Sequence, residues 1–298
     1  MDKLRYGWQL IRDSGKLWIE CNAFNHAGSL AFYTLFSLAP TIIIAVAVIG
    51  LVLGEQAAQG QIVAEFQDVM GAEAASLVEE AVSNSRVDNS GIFPAVAGIL
   101  ALMIGATTVF AQMQYSLNAL WGVQPRPSRS SIFLLIRKRF FSLMVVLAIG
   151  FVLLVSLVLG VALRATLDFT ARFVPAVEVL ISGGEMVLSF LVVSLLFATI
   201  FKVLPDVVLK WRQVIIGGMI TAVLFSLGRY GIAAYLAYTA PASTYGAAGA
   251  VVLLLMWVYF SSLILLFGAA FTKTLVQAQG QSIIPRNTAV LVENKLLL

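Results

Sequence analysis

Residues 30–53 read LAFYTLFSLAPTIIIAVAVIGLVL, 24 positions without a charge. A run of about 20 apolar residues is what an α-helix needs to cross the hydrocarbon core of a bilayer. Five more such runs follow: Ile92–Met113, Phe141–Leu163, Ile181–Leu204, Val214–Tyr238 and Gly249–Leu275. Backbone groups in lipid must be bonded internally, so each run is predicted to be a helix. The bulk composition agrees. The chain is 60% hydrophobic and 11% charged, against about 25% charged in a soluble domain.

The predicted fold is therefore all-α: a polytopic membrane helix bundle of six transmembrane helices. Residues 1–279 are expected to form one membrane domain, with 280–298 as a cytoplasmic tail. No room is left for a separate soluble catalytic domain. Ahead of the first run, Leu4, Trp8, Ile11, Gly15 and Trp18 recur at helical spacing among Lys3, Arg5, Arg12 and Lys16. Residues 3–20 thus read as an amphipathic interfacial helix with its tryptophans at headgroup level. They contain no continuous apolar region of the kind a cleavable signal needs.

Charge sets the expected sidedness. Fifteen of the 19 Lys and Arg residues fall in four stretches: the N-terminal segment, 126–139, 202–212 and 273–295. With six spans these share one side, and the positive-inside rule makes that side, with both termini, cytoplasmic. The net charge of +4 then reports topology and proximity to anionic headgroups rather than nucleic-acid binding. The first outward loop, 55–90, is acidic, with Glu55, Glu65, Asp68, Glu73, Glu79, Glu80 and Asp88 against Arg86. Its apolar residues keep a helical period on either side of Gly71, which predicts a short helical extracytoplasmic hairpin.

Polar residues inside the apolar runs are costly, so their placement is informative. Asn22, His26, Ser29, Tyr33 and Ser37 form one stripe along the first span and its approach. Thr107, Gln114 and Asn118 share a face of the second, with Thr108, Gln112 and Tyr115 adjoining. Two readings stay open: these stripes line a substrate cavity, or they hydrogen-bond helices to one another. Arg229 lies roughly nine residues, about 13 Å, inside the outer end of the fifth span. Glu185, near the same end of the fourth span, is its expected partner.

Several chemistries are excluded by the residues available. There is no phosphate-binding GxxxxGK[ST] loop, hence no ATPase. One His and one Cys cannot build a zinc site, and no Gly-x-Ser-x-Gly elbow occurs. No enzyme activity, cofactor or metal is expected.

Four segments together resemble the YihY/BrkB family of bacterial inner-membrane proteins. They are residues 27–40 (AGSLAFYTLFSLAP), 105–112 (GATTVFAQ) with Asn118 and Trp121, Leu204-Pro205-Asp206, and 244–249 (TYGAAG) followed by Trp257-Val258-Tyr259. The resemblance runs over roughly 10–275. It implies a six-helix inner-membrane protein of envelope integrity, with proposed roles in lipid or lipopolysaccharide trafficking. An older ribonuclease label attached to such proteins finds no nuclease metal site here. Where the family's last motif is expected to read Phe-Gly-Ala-Glu-Phe, this chain has Ala270 in place of the carboxylate.

Two functions follow as expectations. One is a lipid translocator or exporter without an ATPase, with anionic lipids as substrates and Arg229 as headgroup contact. The other is a non-catalytic platform that docks a periplasmic lipid-bridging protein through the 55–90 hairpin. Small-residue faces such as Gly246 with Ala250 make a homo-oligomer conceivable.

Overall fold

The computed structural model describes residues 2–54, 92–126, 177–239 and 249–292, with isolated positions between 56 and 79. Six helices are present among the described residues. They are α1 (Asp2–Glu20), α2 (Ala23–Leu53), α3 (Ile92–Trp121), α4 (Val177–Val203), α5 (Trp211–Thr239) and α6 (Gly249–Ala278). Two short strands, β1 (Val123–Pro125) and β2 (Ala289–Leu291), pair antiparallel. The run 141–163, nearly all of the 55–90 hairpin, and the 246–250 small-residue pair's first half lie outside the described residues.

Five of the predicted runs are helical, and each helix extends beyond its apolar run. The second continues eight residues past Met113 to Trp121. Trp211–Ile232 and Val251–Ala278 are long and apolar enough to cross a bilayer by length and composition. The helical assignment also continues through Pro40, whose missing N–H removes one bond of the α2 ladder.

Helix ends are set by local chemistry. Asn22 adopts φ 52° between α1 and α2, the left-handed conformation that Asn tolerates at a helix C-terminus. Its carbonyl then accepts the N–H groups of Asn25 and His26 at 3.0 and 3.2 Å, starting α2. Gly122, at φ 72°, and Gly280, at φ 70°, end α3 and α6 in the same way and release the chain into the strand-forming segments.

The core lies toward the end of the bundle that carries Lys202, Lys210, Arg212, Lys273 and Arg286, termed here the basic end. Leu117, Leu120 and Trp121 of α3 pack there with Ala23 and Ala27 of α2, Phe197 and Phe201 of α4, and Ala269 and Ala270 of α6. Ala270 is fully buried. A carboxylate at this position would need a polar partner inside the core.

α1 packs along one side on α6. Leu10 is buried against Phe271 and Leu275 of α6, with Ile216 and Ile220 of α5 alongside. The Trp18 indole N–H donates to the Leu263 carbonyl at 3.2 Å, and its ring lies 6.2 Å from that of Phe267. Of the predicted face, Trp18 packs on α6 while Ile11 is exposed, and the buried side of α1 is carried by Leu10 and Ser14. Trp8 alone of the two tryptophans remains largely exposed.

The described part of the 280–298 segment is attached to the bundle. Residues 281–292 fold back across the basic end, with Val123 opposite Leu291 and Pro125 opposite Ala289. A bridge between Val207 and Pro285 adds a second attachment.

α5 and α6 meet through a reciprocal pair of Gly-x-x-x-Thr segments. Thr221 Oγ1 donates to Gly217 O at 2.7 Å, and Thr272 Oγ1 donates to Gly268 O at 2.8 Å. Each threonine sits on the other helix's glycine: a Cβ on Gly217 would overlap Thr272, and one on Gly268 would overlap Thr221. α4 and α5 meet at Gly218, where a Cβ would stand 2.5 Å from Ser194 O and 2.9 Å from Ala198 N. Small residues that admit a neighbour's backbone are the means of close packing where lipid removes the hydrophobic drive.

Because the obstacle at Gly218 is backbone, Gly218→Ala is expected to destabilise the protein by about 1–3 kcal/mol despite alanine's better helix propensity. At Gly231 a Cβ would meet nothing within 4 Å. Gly231→Ala should therefore be neutral or stabilising by up to about 1 kcal/mol. Thermal melting of the two variants in detergent checks the contrast.

Candidate functional site

Two polar assemblies stand out, and they divide the predicted stripe residues between them. The first is centred on Asp206, at the turn that follows α4. The helix ends at Val203 and Pro205 cannot supply an N–H to continue it, so the backbone must find other partners. Asn118 supplies them at two points. Its Oδ1 accepts the Asp206 N–H at 2.8 Å and its Nδ2 donates to Asp206 Oδ2 at 2.9 Å. Gln114 Nε2 donates to the same carboxylate oxygen at 3.3 Å, and Thr288 Oγ1 donates to Oδ1 at 3.4 Å.

The tail closes this assembly. Arg286 N–H donates to Asp206 O at 2.8 Å. Its guanidinium donates to Lys202 O at 2.8 Å and Val203 O at 3.2 Å, placing a cation on the final carbonyls of α4, where the helix dipole favours one. Nearby, Lys202 Nζ donates to Leu209 O and lies 5.6 Å from the Trp211 ring. Gln213 Nε2 donates to Gln279 Oε1 at 3.2 Å and Gln281 Oε1 at 3.0 Å.

Gln114 and Asn118 are thus brought together, on a carboxylate that the stripe pattern did not include. Asp206 was legible in one respect: it is the single acid in the otherwise basic 202–212 stretch. Neither Arg286 nor Thr288 carries any local signal, because their partners lie more than 80 positions away.

The second assembly is the α2–α3 face. The His26 and Tyr115 rings lie 5.8 Å apart. Carried along the antiparallel pair, that register brings Ser29 level with Gln112 and Tyr33 level with Thr108. His26, Ser29 and Gln112 are half-buried, and Asn22, Tyr33 and Tyr115 are exposed. Ser29 Oγ donates to Asn25 O at 3.0 Å, and Thr108 Oγ1 to Ile104 O at 2.6 Å. Ser37 and Thr107 are buried and donate to Thr34 O and Ile104 O. Such bonds to a helix's own preceding turn let hydroxyls sit among apolar side chains.

Arg229 belongs to neither assembly. It shares the α5 row of Ala222 and Phe225, is half-buried, and has Cζ 5.3 Å from the Tyr230 ring centroid. Gly218 stands against Ser194–Ala198. About three turns farther along both helices, Arg229 comes level with Glu185, whose side chain lies outside the described residues.

Tyr33, Gln112 and Arg229 line neither of two cavities formed by described residues. One, of about 440 Å³, lies between α1 and the end of α6 and is lined by Asp13, Lys16, Glu20 and Thr274 among others. The other, of about 670 Å³, is an apolar groove between α5 and α6. Among the described residues no cluster of His, Cys, Asp and Glu could hold a metal ion. Cys21 is half-buried beside Leu120 O. Burial pushes its thiol up from the ordinary value, with Lys273 pulling it down more weakly.

Comparison with known proteins bears on this arrangement. The virulence factor BrkB family matches residues 18–289. The chain belongs to that family. This BrkB-family chain is also 28% identical over 285 residues to a UPF0761 membrane protein of Aliivibrio fischeri, covering 93% of this chain and 86% of the relative. A UPF0761 membrane protein of Vibrio cholerae is 28% identical, covering 86% and 83%. One of Chromobacterium violaceum is 29% identical over 88% of this chain and 60% of its own length. No solved structure matches. The match runs from the end of α1 to the first residue of β2, so the Asp206 assembly, with Arg286 and Thr288, falls within the family's region.

Loss of the Asn118 amide leaves a buried carboxylate and a buried N–H short of partners. Asn118→Ala is expected to lower stability by about 1–3 kcal/mol, whereas Thr288→Val, at a 3.4 Å bond, should cost about 0.5 kcal/mol. Melting temperature, together with the rate of proteolysis within 281–292, measures both.

Proposed function

We propose that this BrkB-family membrane protein is a lipid translocator of the bacterial inner membrane, multi-pass, with both termini cytoplasmic and six spans. The supporting observation is the α2–α3 face. A spanning helix pair carries Asn22, His26, Tyr33, Gln112 and Tyr115 along one side without burying all of them. From Asn22 to Tyr33 the strip runs about 16 Å from the basic end, roughly half of a 30 Å hydrocarbon core. Polar groups at that depth are costly against acyl tails. They are suited to a headgroup or to water entering from the basic end while the acyl chains stay in the bilayer.

Arg229, level with Glu185 nearer the opposite end, supplies a cation for an anionic headgroup that has passed the strip. In this reading the Glu185 carboxylate holds the guanidinium when no headgroup is present. The reading needs no catalytic group, metal or cofactor. Transport would be downhill or coupled to an ion gradient.

The test uses purified full-length protein in vesicles of phosphatidylethanolamine and phosphatidylglycerol carrying a fluorescent anionic lipid. Wild-type protein is expected to scramble the probe. Replacing two of the strip residues together, His26→Leu with Gln112→Leu, should slow scrambling by about tenfold, as should Arg229→Ala. Wild-type rates equal to those of protein-free vesicles would sink translocation. They would leave the docking of a periplasmic lipid-bridging partner through the 55–90 segment as the reading to pursue.

A further inference from the structure

The α5–α6 trough is filled along one half and empty along the other. Toward the basic end, α1 lies in it: Leu10 is buried against Phe271 and Leu275, beside Ile216 and Ile220. Trp18 closes this filled half through its bond to Leu263 O. Beyond Trp18 the helices meet at Gly228, where a Cβ would strike Ile264 Cδ1, and at the Phe225–Trp257 ring pair. The trough then opens into the 670 Å³ groove, walled by Leu224, Leu227 and Ile232 of α5 and by Phe260, Ile264 and Phe267 of α6. At its far mouth the Tyr235 ring stands edge-on to Phe260 at 6.1 Å.

The dimensions select the occupant. From Leu224 to Tyr235 the groove extends about 16 Å, one leaflet of a 30 Å core. A spanning helix from a second copy would need the full length of the trough, and α1 already occupies the remainder. An acyl chain needs only the open half. Its terminal methyl would reach Trp18, Leu224 and Phe267, and its carbonyl end would lie near Tyr235, an amphipathic residue suited to the interface. Gly231 is an exposed residue of the groove lining, and a Cβ built there meets nothing within 4 Å.

We infer that this groove seats one acyl chain of a phospholipid in the leaflet away from the basic end, bounded by the α1 plug. The inference rests on the lipid-handling reading above and names where that lipid's chain is held. α1 is then a stop that sets the depth of the chain.

The experiment uses the full chain in phosphatidylethanolamine–phosphatidylglycerol vesicles with a trace of phosphatidylcholine bearing a diazirine at one acyl terminus. Photolabel is expected on peptides containing Trp18, Leu224 or Phe267. Gly231→Trp should reduce it by about tenfold and Gly231→Leu by less, while Val187→Trp, on the exposed side of α4, leaves it unchanged. Retained melting temperature shows that each variant is folded. Equal labelling of wild type and both Gly231 variants would overturn the proposal, as would a Gly231-dependent cross-link to a second copy of the chain. Scrambling is scored in the same vesicles without the photoprobe. Protein that labels in the groove but does not scramble supports the groove and sinks only the translocation reading.

Discussion

Asn118 holds Asp206 by its backbone N–H and its carboxylate at once, and the organisation of the basic end depends on that pairing. A buried carboxylate is tolerable only when hydrogen-bonded. Here the donors come from α3 and from the segment after α6. With Asp206 held, its carbonyl receives the Arg286 N–H, and the Arg286 guanidinium reaches the last carbonyls of α4. β2 then lies beside β1. The ends of three helices and the returning chain become one cross-braced base.

Above that base, packing is governed by small residues. Gly217, Thr221, Gly268 and Thr272 interlock because each threonine satisfies its hydroxyl within its own helix and presents a compact surface to the opposing glycine. Farther along, Leu227, Phe260 and Ile264 line the apolar groove on the same two helices. α1 lies against them nearer the basic end, with Leu10 on Phe271 and Leu275.

The helices were largely legible in the sequence, since apolar run length and the 3.6-residue period are local properties. The polar stripes were legible as stripes. Their division was not: Asn118 and Gln114 meet Asp206, whereas His26 meets Tyr115. Asn22 belongs to the stripe by spacing, yet its left-handed backbone makes it the hinge between α1 and α2. The amphipathic period of α1 was visible as well. Periodicity reports that one face is apolar, not whether lipid or protein covers it.

The sequence by itself determined which segments are helical and apolar, where charge accumulates, and which chemistries lack the residues they require. Only the tertiary structure decided that residues 281–292 return to the bundle, that α1 fills half of a trough, and that Asp206 is the centre of the polar base. The physical reason is separation along the chain. Asn118 and Asp206 are 88 positions apart, and Trp18 and Leu263 are 245 apart. No local pattern encodes partners that only the packing of helices brings within bonding distance.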